Sequence, residues 1–152
     1  MKTETSTFQR IMELIGITII LVLIFHVITS YTSLPDKIPG HFNAQGEITR
    51  YGSKAEILIM PIFGILMYIG LTLIQINPKV WSVSSREDVE TKVYHNLKSM
   101  IISLKVQLIG FFLYIAYNQI KGTNLSIDAT IIFISIVLMT LVFFITRAYR
   151  KN

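Results

Sequence analysis

The chain contains no cysteine, which excludes disulfide frameworks, thiolate metal sites and cysteine nucleophiles together. Charge is scarce as well: Asp, Glu, Lys and Arg make up only 15% of 152 residues, against about 25% in soluble domains, so the surface is not built to be wetted. What the chain has instead is apolar bulk, 52% of its residues, with a mean hydropathy of +0.57. An ordinary soluble globule is excluded. The length accommodates a single domain, 1–152.

The apolar residues fall in four blocks that can be tested against a bilayer core of ~30 Å, which a helix of roughly 20 residues crosses. The first runs from Leu14 to Leu34 without a charged residue, and the second from Ile57 to about Asn77. The third covers 99–120, interrupted by Lys105, and the fourth covers 127–147, with Asp128 and Arg147 near its ends. Lipid offers no partner to backbone N–H and C=O groups, so runs of this length close their own hydrogen bonds as helices. The expected fold is an all-α integral membrane protein of four transmembrane helices, with a structured extracytoplasmic loop between the first two. The first block exceeds the ~7–15 residues of a signal-peptide core and is followed by TSYTSLP, without an A-x-A cleavage pattern, so a retained helix is expected.

Basic loops stay in the cytoplasm. Lys2, Arg10, Lys79, Arg86, Lys92, Lys98, Arg147, Arg150 and Lys151 fall on the side of the termini, against Lys37, Arg50, Lys54 and Lys121 opposite. Both termini are therefore expected in the cytoplasm, and the loop from about Thr32 to Glu56 outside. Trp81 and Tyr149 at one boundary, Tyr31 and Tyr51 at the other, suit interfacial belts. The formal charge of +5 and pI near 9.5 are spread over helix ends rather than gathered into a stripe, which argues for topology and contact with the lipid bilayer and against nucleic acid.

Between the second and third blocks, 82–100 reads as a cytoplasmic helical linker. Ser84 with Glu87 forms a capping box, and Val89, Val93, Leu97, Ile101 and Leu104 share one helical face. No Gly or Pro intervenes, so one long helix is expected to enter the bilayer near Met100. The connection around KGTNLSID is short and leaves little room for a site.

The first outer loop carries most of the information. Pro35 and Pro39 stiffen the exit from the membrane, and Ile38–Phe42 and Glu47–Tyr51 flank the turn-forming Asn43-Ala44-Gln45-Gly46. A short hairpin follows from that pattern. Gly52 ends the second strand, and Ser53 with Glu56 forms another capping box at the entrance to the second span.

The pattern L-P-x-x-I-P-x-H-F-N-x-x-G-x-x-x-x-Y-G-S-K, Leu34 to Lys54, resembles the signature of a bacterial membrane-protein family, domain of unknown function 1648. That domain also forms the N-terminal part of SdpI-type immunity proteins, which protect a cell from a secreted killing peptide and, in the type member, relay its presence to a transcriptional repressor. The resemblance covers about Ile11 to Ile76. It implies a bacterial cytoplasmic membrane protein with an outward-facing loop, and an extracellular peptide and a cytoplasmic regulatory protein as partners. SdpI-type proteins continue into a longer membrane region with a second domain, whereas four spans are read here.

Pro35, Pro39, His41, Phe42, Asn43, Gly46, Gly52, Ser53 and Lys54 form the candidate binding platform. His41 has only Asp36 and Glu47 nearby in sequence, too few ligands for a metal, so a hydrogen bond to loop backbone or packing beside Phe42 is expected, with proton or metal chemistry as the competing reading. No cofactor or metal is expected. Within the membrane blocks the ionisable residues are Glu13, His26 and Lys105. Such groups are costly at depth. Glu13 and Lys105 lie at similar inner depth and are expected to pair or, for Lys105, to snorkel; His26 is expected to make an interfacial hydrogen bond. No Ser-His-Asp spacing, H-E-x-x-H or phosphate-cradling loop is present, so no enzyme is expected. A binding and interaction protein is the favoured class, and a small transporter or intramembrane enzyme using the buried ionisable residues is the alternative.

Overall fold

The computed structural model describes residues 5–77 and 87–150, with side chains from 93 onward in the second stretch. The Trp81 anchor, the Ser84–Glu87 capping box and the start of the linker expected at 82–100 lie outside the described residues. The elements in order are α1 (Thr7–Tyr31), β1 (Lys37–Phe42), β2 (Ile48–Ser53), a 3-10 turn (Lys54–Leu58), α2 (Ile59–Ile76), α3 (Glu87–Lys121) and α4 (Ile127–Tyr149). Four helices among the described residues are long and apolar enough to cross a membrane. The chain is thus a mostly helical, multi-pass membrane protein.

Local chemistry sets the helix limits. Ser6 caps α1 and Gln9 closes a capping box with it, each side chain bonding the other's backbone N–H at 3.2 Å. Pro61 falls in the first turn of α2, where its missing N–H costs nothing. Asn77 takes extended geometry (φ −96°, ψ 96°), as a residue preceding proline tends to do. At 35 residues α3 is about 52 Å long, well beyond a ~30 Å hydrocarbon core. The single long helix expected from the uninterrupted period runs unbroken from Glu87.

Helix α3 is the central element and packs against each of the other three. Its position explains its polarity: Asn96, Ser99, Ser103, Lys105, Asn118 and Gln119 are buried against protein rather than turned to lipid. By contrast, only 6% of the α4 span is buried, against 39% of the α3 span, and α4 presents Ile, Leu, Val and Phe outward. The apolar core lies toward the hairpin end, where Leu23, Val27, Leu34, Ile38, Ile57 and Ala116 are buried together.

Candidate functional site

The loop folds as an antiparallel hairpin, in which Lys37 pairs with Ser53, Ile38 with Gly52 and Pro39 with Tyr51, before a bulge shifts the register at His41. The turn is built by Asn43. Its side-chain oxygen accepts from the amides of Gln45 (3.0 Å) and Glu47 (2.9 Å), while its own side-chain nitrogen donates to Glu47 Oε2 at 2.9 Å. Gly46 adopts φ +82°, the left-handed geometry that closes the turn without side-chain strain.

Gly46 also has a second duty. Its carbonyl accepts from the Leu125 amide at 2.8 Å, and a Cβ at this position would stand 2.3 Å from the Leu125 carbonyl oxygen. Beside it, the Asn124 side chain accepts from the Ile48 amide at 3.0 Å. The α3–α4 connection, for which the sequence suggested little role, therefore docks onto the hairpin. From α3, the buried Gln119 donates to the Pro39 carbonyl at 2.9 Å.

On one face of the hairpin, Arg50 forms a bidentate pair with Glu56, at 3.0 and 2.7 Å, and donates to the Gly40 carbonyl at 3.1 Å. A Cβ on Gly40 would meet both partners at under 3 Å, and one on Gly52 would stand 2.1 Å from Glu56 Oε1. Both glycines make room for this pair. The Glu56 hydrogen bonds, then its charge, raise the Arg50 guanidinium further above its ordinary value. Ser53 caps the following turn through the Ala55 amide, in place of the expected box with Glu56, whose two carboxylate oxygens pair with Arg50. Lys54 lies 3.5 Å from Asp36 and its amide donates to the Asp36 carbonyl, tying the end of the hairpin to its beginning.

Among the candidate platform residues, Pro39, Gly46 and Gly52 are buried, Phe42, Asn43 and Lys54 are half-buried, and Pro35, His41 and Ser53 are exposed. His41 Nδ1 lies 2.6 Å from Thr49 Oγ1 across the hairpin, rather than against Asp36 or Glu47. Among the described residues no three His, Asp or Glu side chains gather as metal ligands would.

A second polar assembly lies within the bundle. Lys105 Nζ, fully buried, donates to both Glu13 oxygens at 2.7 and 3.0 Å and to Thr72 Oγ1 at 3.0 Å, and sits 4.3 Å over the Tyr68 ring. Tyr68 and Gln75 also donate to Glu13. The pair inferred from shared depth is present, and it recruits three residues the sequence reading passed over. Their signal was available: Tyr68, Thr72 and Gln75 are spaced four and three apart, hence on one helical face, within an apolar span. His26 departs from expectation. Its Nε2 is buried with no hydrogen-bond partner among the described residues, and the ring stacks on Tyr117 at 5.9 Å, so aromatic packing replaces the expected interfacial hydrogen bond.

Four membrane-length helices among the described residues, and a hairpin clamped by α3, by the α3–α4 connection and by the entrance to α2, mark a multi-pass membrane protein. Within it, residues 17–65 match the model of the family described as "Domain of unknown function (DUF1648)", so this stretch carries that domain. An uncharacterized protein of Archaeoglobus fulgidus is 40% identical over 57 residues, which are 38% of this chain and 31% of the relative. The chain thus matches about a third of that relative's length. No solved structure matches. The matched stretch is narrower than the Ile11–Ile76 of the sequence resemblance; it includes Gly40, Gly46, Arg50, Gly52 and Glu56 and excludes Glu13, Tyr68, Thr72, Gln75, Lys105 and Asn124.

Proposed function

We propose that the chain is a membrane-anchored recognition protein of the cytoplasmic membrane, with both termini inside, whose hairpin meets an extracytoplasmic peptide. A cytoplasmic regulatory protein is the second partner, met on the side of the termini. The observation that carries this reading is the immobilisation of the hairpin by three separate elements: Gln119 of α3, the Asn124-Leu125 connection, and Glu56 at the entrance to α2. A surface ordered beforehand loses little freedom on binding, and that saving is available as affinity. The hairpin keeps Tyr51, His41 and Glu47 exposed on this frame. The likeness to SdpI-type proteins supplies the peptide and the repressor as the classes of partner to test.

The buried Glu13–Lys105 assembly favours a second reading, a small transporter or intramembrane enzyme. Against it, a compensated pair fixed to three further side chains serves well as a structural lock between α1, α2 and α3.

Two measurements in one strain test the proposal. Single cysteines, Asn43→Cys and Thr91→Cys, are exposed to a membrane-impermeant reagent in intact cells, and deletion strains are challenged with extracellular antimicrobial peptides while repressor localisation is followed. Labelling at position 43 alone, with sensitisation on deletion, is expected. Labelling at position 91 alone reverses the topology, and unchanged sensitivity with unchanged repressor localisation removes the recognition role.

A further inference from the structure

Helices α1 and α4 approach each other at the end of the bundle opposite the hairpin, where Phe8 and Phe144 lie 6.4 Å apart. Toward the hairpin, α4 is held to α3 instead: Phe133 stacks on Phe111 at 4.1 Å, and the Tyr114 hydroxyl accepts from the Ser126 amide at 2.7 Å. A groove of about 510 Å³ lies between α1 and α3 at this level, walled by Phe25 and His26 on one side and by Gly110, Leu113, Tyr114 and Tyr117 on the other. Nothing stands within 4 Å of where a Gly110 Cβ would be, so its floor is open. Phe25 and Tyr117 are exposed on the outer surface of the helices, which opens the groove to surrounding lipid.

Length and charge together identify an occupant. From Gly110 to Lys121 the helix rises about 16 Å, roughly half of a ~30 Å hydrocarbon core and so the depth of one leaflet. The lined part, Gly110 to Tyr117, covers about 11 Å of it and is apolar and aromatic apart from His26, with Lys121 one turn beyond. At the hairpin end alone there is a cation: Lys121 Nζ lies 4.5 Å over the Tyr117 ring and, among the described residues, has no carboxylate within ion-pair distance. A largely apolar trough with an ammonium one turn above it, together about one leaflet deep, complements a phospholipid, with a chain in the trough and a phosphate at the lysine. We infer that this groove is a specific lipid site, which takes one acyl chain of an anionic phospholipid from the leaflet on the hairpin side and pairs its headgroup with Lys121.

Native mass spectrometry of the full-length protein in detergent, with phosphatidylglycerol or phosphatidylcholine of equal chain length, tests the site. The unaltered protein is expected to retain phosphatidylglycerol about fivefold better, the effect of one basic side chain on an anionic lipid. Gly110→Phe, which fills the floor, is expected to release both lipids, and Lys121→Gln to abolish the preference while keeping the chain. Equal retention of the two lipids by the unaltered protein, or undiminished retention by Gly110→Phe, overturns the assignment. A third arm needs no variant: phosphatidylglycerol with a photoreactive acyl chain, in liposomes, is expected to label Phe25, Leu113 or Tyr114. Labelling spread evenly over the lipid-facing sides of α2 and α4 leaves only annular lipid, and a second copy crosslinked into the groove gives it to a protein; either result refutes the lipid site.

Discussion

The hairpin and the middle of the bundle each hold an acid–base pair in which one cation reaches both oxygens of a carboxylate, yet the two pairs stand in different surroundings. The carboxylates are alike, Glu56 26% and Glu13 24% exposed, but Arg50 keeps 53% of its side chain exposed whereas Lys105 keeps none. Near water a charge left alone is rehydrated; inside the bundle it is not, so each partner there depends on the other. The exposed pair instead acts through shape. It lies over two glycines and a backbone carbonyl, so it holds the strands and the entrance to α2 in one geometry. The buried pair joins helices, and the exposed pair shapes a surface.

The sharpest way to break that contrast is to remove one member of the buried pair. Lys105→Met or Glu13→Gln alone is expected to cost about 3–5 kcal/mol, because an uncompensated buried group remains. The double variant is expected to recover much of the loss, as read from thermal unfolding in detergent and a double-mutant cycle. Strictly additive costs would show that the two side chains do not act as a pair.

A smaller effect is expected at the turn. Gly46→Val forces a β-branched residue into a positive φ, at about 1–3 kcal/mol, and drives its Cβ against the Leu125 carbonyl. Amide exchange at Ile48 and Leu125 is expected to accelerate together, since both hydrogen bonds belong to the same dock. Unchanged exchange at Leu125 would mean that the α3–α4 connection does not clamp the hairpin.

Below this lies Arg50→Gln, whose destabilisation is expected to shrink as salt rises, while that of Lys105→Met stays constant, because mobile ions screen exposed pairs and not buried ones. Equal salt dependence would erase the distinction between the two environments. The smallest effect is expected from His41→Gln, which keeps a hydrogen-bonding group for Thr49 and removes only titration. If it abolished activity in a normally accumulating protein while Gly46 variants were tolerated, proton or metal chemistry would displace the platform reading.

The hairpin strands, the turn at Asn43–Gly46 and the Ser53 cap were legible in the sequence because each depends on residues only a few positions apart. So was the pairing of Glu13 with Lys105, since depth in a bilayer is itself a one-dimensional coordinate that sequence position reports. Asn124 and Gln119 were not legible as hairpin clamps: they lie 76 and 80 residues from their partners, and no local rule marks a polar side chain at a helix end for a distant backbone. His26 misled for a related reason. A histidine near a helix end suits an interfacial hydrogen bond equally well, and only the neighbouring helix, which brings Tyr117 against it, decided for stacking.

The sequence by itself determined that four helices form and that a tight hairpin separates the first two, although the first helix, Thr7–Tyr31, starts two turns before the apolar block at Leu14 and ends before Leu34. Backbone hydrogen bonds in lipid and the φ preferences of Pro and Gly are local constraints that hold whatever the rest of the chain does. Only the tertiary structure decided that α3 is the central helix, that its polar residues turn inward, and that the last connection comes back to lock the first. In lipid an apolar face gains little by meeting another apolar face, so the choice of neighbours falls to polar contacts between distant residues and to close packing, and these exist only once the helices have been brought together.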